Sequence, residues 1–172
     1  LEKRITVNAS GSEVDEVNLA AGEKPVKVSA DVYELIKLGL KYSEEFDGAF
    51  DITVGPLTAL WHIGFDDAKK PTQEEIDAVL PLVNYKDVEL NDAEQTVFLK
   101  KKGMQLDLGG IAKGYIADKV WEYFAKEGIT TAVIDLGGNI VVMGGSPARD
   151  GVAWNVGIQD PDASRGKTLG TI

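Results

Sequence analysis

The chain has 172 residues, of which 44% are apolar and 27% charged; that is enough hydrophobic material for a packed core and excludes wholesale disorder. A formal net charge of −10 argues against a generic nucleic-acid role, which needs clustered Lys and Arg. With no Cys and only His62, disulfides, thiol nucleophiles, Cys-based metal centres and multi-histidine metal sites are excluded within this chain. No apolar run reaches bilayer-spanning length, and the opening "LEKRITV" lacks the basic-then-apolar pattern of a signal peptide.

In chain order, "SGSEVDEVNLAAG" predicts a short helix with Ser12 as its cap and Asp15 in an acidic variant of the capping box. "VSADVYELIKLGLKYSEEF" predicts a longer amphipathic helix, capped by Ser29, with Val32, Leu35, Ile36, Leu38 and Leu40 on its apolar face. "PTQEEIDAVLPLV" predicts a third, opened by a Thr72–Glu75 capping pair and stopped at Pro81. The period then changes. "TVFLKKKGMQLDLGG" reads as a hairpin turning at Lys102-Gly103. "IAKGYIADKVWEYFAKEG" returns to helix spacing, with Ile116, Val120, Tyr123 and Phe124 on one side and Gly128 as the stop. "TTAVIDLGG", "NIVVMGG" and "WNVGIQDP" read as strands, and "GKTLGTI" as the start of another. Helices first, then strands mixed with one helix, predict an α+β fold rather than a repeating βαβ one, with residues 1–172 as a single domain.

Three stretches offer chemistry. In "DLGGIAKGY" an acid, Asp107, ends a predicted strand, Gly109 and Gly110 permit close backbone approach, and Lys113 stands in the first turn of a helix. A helix N-terminus offers N–H groups and partial positive charge to phosphate. The string matches neither the P-loop nor the dinucleotide fingerprint, so a phosphate cradle and a plain packing turn both remain open. In "GAFDITVGPLTALW" Asp51 interrupts an apolar run; a carboxylate there is either engaged with a ligand or satisfied by a cap or turn contact. Phe50 and Trp61 could stack on a ring or fill the core. "VIDLGGNIVVMGG" repeats the acid and glycine pair before a strand, which a tight hairpin explains. His62 has no carboxylate partner visible in the sequence and reads as structural or surface. The acidic clusters "SEEFD", "FDD" and "TQEEID" read as solvated faces and helix starts.

Taken together, "GAFDITVGPLTALW", "LDLGGIAKGYIAD" and "AVIDLGGNIVVMG", in that order and spacing, resemble the ApbE family of FAD:protein FMN transferases. "TVNASGSEVDEVN" resembles the family's stretch leading to a Ser-Glu-x-x-x-x-Asn pattern, so the resemblance covers nearly the whole chain. It implies an α+β, T-fold-related domain with helices packed on mainly antiparallel sheet. It also implies FAD as substrate, Mg2+ as metal, and transfer of FMN by a phosphoester to a threonine of an acceptor protein, a redox flavoprotein subunit. Some members instead hydrolyse FAD to FMN and AMP, and a non-catalytic flavin-binding module is a further alternative.

The resemblance places the FAD contacts on Asn8, Ala49, Phe50, Asp51, Asp107 and Lys113, and a metal-binding backbone oxygen on Gly110 or Ala112. It implies an extracytoplasmic, lipid-anchored location at the cell envelope. The family's C-terminal part carries a His-x-x-Asp-Pro-like segment and an Asp-Ala-x-x-Thr segment whose Asp and Thr side chains hold the metal. Neither is expected here: "IQDPD" is a different position, so the chain reads as the N-terminal portion of a longer enzyme, with no catalytic residue identified in it.

Overall fold

Apolar residues at helical spacing dominate the first two-fifths of the sequence, and the helices they predict form. The computed structural model describes residues 1–7 and 10–172. It combines helices with antiparallel sheets, the expected α+β class. The chain divides into two compact units, Leu1–Ala112 and Lys113–Ile172.

The first unit holds α1 (Glu2–Ile5), α2 (Glu13–Leu19), β1 (Val26–Lys27), α3 (Ala30–Glu45), α4 (Gly55–Trp61), α5 (Gln73–Val79), β2 (Val88–Asn91), β3 (Thr96–Leu99) and the first turn of α6 (Gly109–Lys126). Its antiparallel sheet runs β1-β3-β2, with Val97 of the central strand opposite Val26 on one side and Leu90 on the other. Val14, Val17, Val32, Leu35, Ile36, Ile52, Val97, Leu99, Met104, Leu106 and Leu108 are all but sealed from water. Each such side chain contributes about 1.5–3 kcal/mol of hydrophobic stabilisation.

Ser12 caps α2 as expected, accepting the Asp15 N–H at 2.9 Å; the Asp15 carboxylate reaches back to Gly11 N rather than to the cap residue. Thr72 and Glu75 form the predicted capping box of α5, which ends at Val79 and passes into a 3-10 turn, Leu80–Leu82, that contains Pro81. Ser29 flanks α3, but its hydroxyl accepts from Arg4 Nη1 at 3.0 Å and not from the helix, because a charged donor from α1 takes the oxygen. The buried face of α3 is Val32, Tyr33, Leu35, Ile36, Gly39 and Ser43. Leu38 and Leu40, expected there, are only half-buried. Gly39 takes the place between them because a Cβ would stand 2.7 Å from Ile52 Cγ2.

The predicted hairpin at Lys102-Gly103 does not form. β3 pairs with β2 and β1, and residues 104–108 carry only an isolated parallel bridge between Val54 and Gln105. The reason is satisfaction by distant partners: Gln105 O, both Leu106 backbone groups and Asp107 N are taken by Gly55, Asn18 and Ile52, so no hairpin partner strand is needed there.

The second unit continues α6 and adds two antiparallel pairs, β4 (Ala132–Leu136) with β5 (Asn139–Met143), and β6 (Gly157–Gln159) with β7 (Thr168–Thr171). All four predicted strand segments are therefore present. Leu136 faces Asn139, so Gly137-Gly138 is a two-residue turn with φ of 65° and 93°, the positive values that a type I′ hairpin turn demands. α6 ends as predicted at Gly128 (φ 76°), with Ile129 N bonded to Phe124 O at 2.9 Å. Its predicted apolar side is corrected in one place: Ile116, Val120 and Phe124 are half-buried, but Tyr123 is 59% exposed, while Tyr115 and Ala117 are buried.

Candidate functional site

Within the first unit, four stretches of chain, at Val7, at Asn18, from Gly55 to Phe65 and from Gln105 to Asp107, meet around a cavity of about 610 Å3. Asn18 at the end of α2, Gly55 and Thr58 of α4, His62 just after it, and Leu106 and Asp107 before α6 are among its walls. The volume lies in the range of small-molecule sites.

Backbone contact fixes the floor. Gly55 N donates to Gln105 O at 3.2 Å, and a Cβ on Gly55 would stand 2.6 Å from that oxygen, so only glycine allows the approach. Asp107 N donates to Ile52 O at 2.8 Å. The Asp107 carboxylate is then set from both sides: Oδ1 accepts Gly109 N at 2.9 Å and Oδ2 accepts the Thr58 hydroxyl at 2.9 Å. Asp107 therefore ends an extended stretch rather than a strand.

Gly109 opens the 18-residue α6. Ile111 N and Ala112 N turn back to Leu108 O, while among the described residues no acceptor reaches Gly110 N. That N–H, at the positive end of a long helix, is a donor available to an anion.

The other predicted residues divide. Phe50 packs on the start of α6, its Cε2 3.2 Å from where a Cβ on Gly110 would lie. Asp51 is half-buried and its oxygens are engaged by the protein itself: Oδ1 accepts Thr53 N at 2.8 Å and the Thr53 hydroxyl at 2.7 Å, and Oδ2 accepts Tyr85 N at 3.0 Å. Thr53 Oγ1 in turn accepts Asn84 N at 2.8 Å. Of the two readings of Asp51, this geometry is the turn contact, and it tethers the segment that carries Phe50. Ala49 is exposed beside it. Asn8 lies outside the described residues. Lys113 is exposed and belongs to the second unit, where its Nζ comes within 4.0 Å of a Cβ position on Gly137.

Gly110 and Ala112 both lie in the first turn of α6, where each carbonyl enters the helical ladder and keeps one further lone pair. Among the described residues no group of three or more His, Asp and Glu is placed to hold a metal. A six-oxygen Mg2+ shell is not built by these residues alone. The sequence does spell Asp-Ala-x-x-Thr once, at Asp92–Thr96, but there it forms the tight turn between β2 and β3. Asp92 accepts Lys37 Nζ at 2.6 Å and the Tyr33 hydroxyl at 3.0 Å, which hold it below the usual carboxylate range. It ties α3 to a hairpin.

Asn18, Thr58 and His62 were not among the expected site residues. For Thr58, in the middle of "GPLTALW", nothing in the sequence pointed to it. His62 does have a carboxylate: Nδ1 lies 2.6 Å from Asp67 Oδ1, and the ring stacks on Phe65 at 4.0 Å and 8°. A partner five residues away across a loop leaves no periodic trace.

The second unit has a hollow of its own, about 970 Å3, lined by Asp135, Gly137 and the 156–168 stretch including Arg165. It is the larger of the two, and within this unit Lys113 approaches its Gly137 wall.

The ApbE family profile matches residues 1–172. The chain is 39% identical over 171 residues to a Klebsiella pneumoniae protein named FAD:protein FMN transferase, covering 99% of this chain and 52% of that protein. It is 37% identical to one of the same name from Treponema pallidum, covering 93% and 47%. Among solved structures, an ApbE protein from Thermotoga maritima superposes with a TM-score of 0.88 at 30% identity, covering 99% and 54%. The flavin transferase ApbE of Vibrio cholerae gives 0.81 at 29%, covering 93% and 51%. The chain spans about half the length of the curated relatives it matches. With a family profile matched end to end and an ApbE structure superposing on nearly all of it, the chain belongs to the ApbE family.

Proposed function

We propose that the protein containing this chain is an FAD:protein FMN transferase and that the cavity at Asp107 receives part of the FAD. The observation that carries the reading is the start of α6: a carboxylate fixed by Thr58 and Gly109, next to a Gly110 N–H that no acceptor among the described residues reaches, beside a cavity of about 610 Å3. In the reaction, a threonine hydroxyl oxygen of the acceptor bonds to the FMN phosphorus, the bond from that phosphorus to the AMP oxygen breaks, AMP leaves, and the hydroxyl proton passes to solvent. Oriented N–H groups favour charge building on the phosphate oxygens, and a fixed site holds the acceptor in line.

Asp107, Phe50 and Lys113 are assigned to FAD, with Asp51 holding the Phe50 segment. Mg2+, when bound, would supply charge neutralisation on the pyrophosphate, and Gly110 or Ala112 would offer it one carbonyl oxygen, as the family resemblance implies. The acceptor is a flavoprotein subunit with a target threonine, and the site of action is the cell envelope, as the family resemblance implies. No helix among the described residues is long and apolar enough to cross a membrane.

The test is mass spectrometry of a threonine-containing acceptor incubated with the full-length protein, FAD and Mg2+. A gain of one FMN mass on the threonine, with AMP released, is expected. AMP and free FMN without any acceptor would mark a pyrophosphatase, and FAD binding without turnover would mark a binding module.

A further inference from the structure

Leu106 is wholly buried, so its N–H and C=O both need partners. A neighbouring strand would normally provide them, and among the described residues no strand pairs with Leu106. Asn18 provides both: its Oδ1 accepts Leu106 N at 2.7 Å and its Nδ2 donates to Leu106 O at 3.1 Å. One carboxamide thus makes the pair of bonds that a strand would make. From the other side Gly55 N bonds Gln105 O and Asp107 N bonds Ile52 O. The two peptide groups flanking Leu106 are therefore each held at both ends, and the second of them carries the backbone nitrogen of Asp107.

Asn18 is itself delivered firmly. Ser12 caps α2, Glu13 of α2 accepts Ser29 N at 2.6 Å, and Val14 and Val17 anchor the helix in the core. The Ser-Glu-x-x-x-x-Asn string thereby acquires a physical meaning: cap, tether and clamp on one short helix.

We propose that Asn18 is a positioning residue for the cavity, fixing the Leu106–Asp107 peptide and through it the Asp107 carboxylate and the entry to α6. The effect on activity rests on the FAD reading above; the clamp does not. Asn18→Asp has nearly the same shape and separates the two. An ionised carboxylate cannot donate to Leu106 O, whereas a protonated one can. Partial burial and the facing Leu106 carbonyl raise the pKa of the introduced acid, while the Leu106 N–H opposes them. The other titratable walls of the cavity are His62 and Asp107, and Asp15 and Glu16 stand on α2, so wild type measured alongside removes their contribution.

In the full-length protein, kcat/KM for FAD in Asn18→Asp is expected to fall by on the order of tenfold to a hundredfold near pH 8, the scale of a misplaced catalytic group. The variant-to-wild-type ratio should then climb as pH falls towards about 5. A ratio flat with pH, or Asn18→Asp matching wild type throughout, overturns the proposal. Amide hydrogen exchange at Leu106 gives the second reading: Asn18→Ala should lose protection there while α3 keeps it. Unchanged protection at Leu106 overturns the clamp. If wild type transfers no FMN at all, the FAD reading fails, and exchange at Leu106 still decides the role of Asn18.

Discussion

Asp107-Leu108-Gly109-Gly110 and Asp135-Leu136-Gly137-Gly138 are the same tetrapeptide in two settings. At the first, both glycines enter a helix and the acid bonds Gly109 N, two residues on. At the second, both glycines take positive φ, and the acid bonds Gly138 N, three residues on. The sequence that follows accounts for part of the difference: Ile-Ala-Lys-Gly-Tyr continues as a helix, and Asn-Ile-Val-Val-Met, rich in β-branched residues, continues as a strand. Distant partners account for the rest. Asp107 has Thr58 on its other oxygen and a backbone pinned by Ile52, while Asp135 is an exposed residue of β4, next to its turn. An acid before a glycine pair is therefore a turn element whose use is decided by what is packed around it.

Removing the acid at each position separates the two most widely. Asp107→Ala should lower FAD affinity of the full-length protein by on the order of tenfold or more, the scale of a charge-assisted hydrogen bond worth about 1.5–3 kcal/mol. Asp135→Ala should cost about 1 kcal/mol of stability or less and change FAD affinity far less. Fluorescence titration of FAD and a urea melt on each variant make the check, and equal effects on binding would erase the distinction. The glycines give a smaller contrast. Gly138 has open space around it but a φ of 93°, so Gly138→Ala should cost about 1–2 kcal/mol through backbone strain alone. Gly109 has ordinary helical conformation, but a Cβ would lie 3.1 Å from Asp107 Oδ1. Gly109→Ala gains helix propensity of about 1 kcal/mol and displaces the carboxylate. Its melting midpoint should hardly move while FAD binding weakens.

Much of the scaffold was legible because it is written in local rules. Ser12, Thr72-Glu75 and Gly128 mark helix ends that the structure contains, and the Gly137-Gly138 hairpin follows from turn chemistry alone. What failed was non-local. The stretch before Asp107 has the composition of a strand, yet its hydrogen bonds go to a carboxamide 88 residues earlier and to two backbone groups near residue 54. Ser29 lost its cap role to Arg4, 25 residues away. The site residues suffered similarly. The family resemblance pointed to Asp107 in the cavity and to Phe50 outside its walls; Asn18 closes the Ser-Glu-x-x-x-x-Asn string without the string saying what it clamps, and Thr58 and His62 owe their place to packing that no period encodes. Asp51 was singled out correctly as a carboxylate needing partners, and the partners proved to be Thr53 and Tyr85.

A third acid-led turn, Asp92-Ala93-Glu94-Gln95, gives the mildest probe. Here the acid serves neither helix nor ligand: Lys37 and Tyr33 of α3 hold it against the hairpin. Burial and then the Asp92 carboxylate push the Tyr33 hydroxyl up to about 12. A phenol whose folded pKa exceeds its unfolded value of about 10 stabilises the fold fully below pH 10, and that contribution drains away as pH climbs from about 10 to about 12. Urea melts of wild type near pH 9 and near pH 11 should show this loss on top of the general alkaline slope. Tyr33→Phe should start about 0.5–1.5 kcal/mol less stable at pH 9 and lose less between the two pH values. The same variant should bind FAD as wild type does, because Tyr33 is not among the walls of the Asp107 cavity. A loss of FAD binding in Tyr33→Phe would mean that the hairpin turn, and not only the turn before α6, shapes the site.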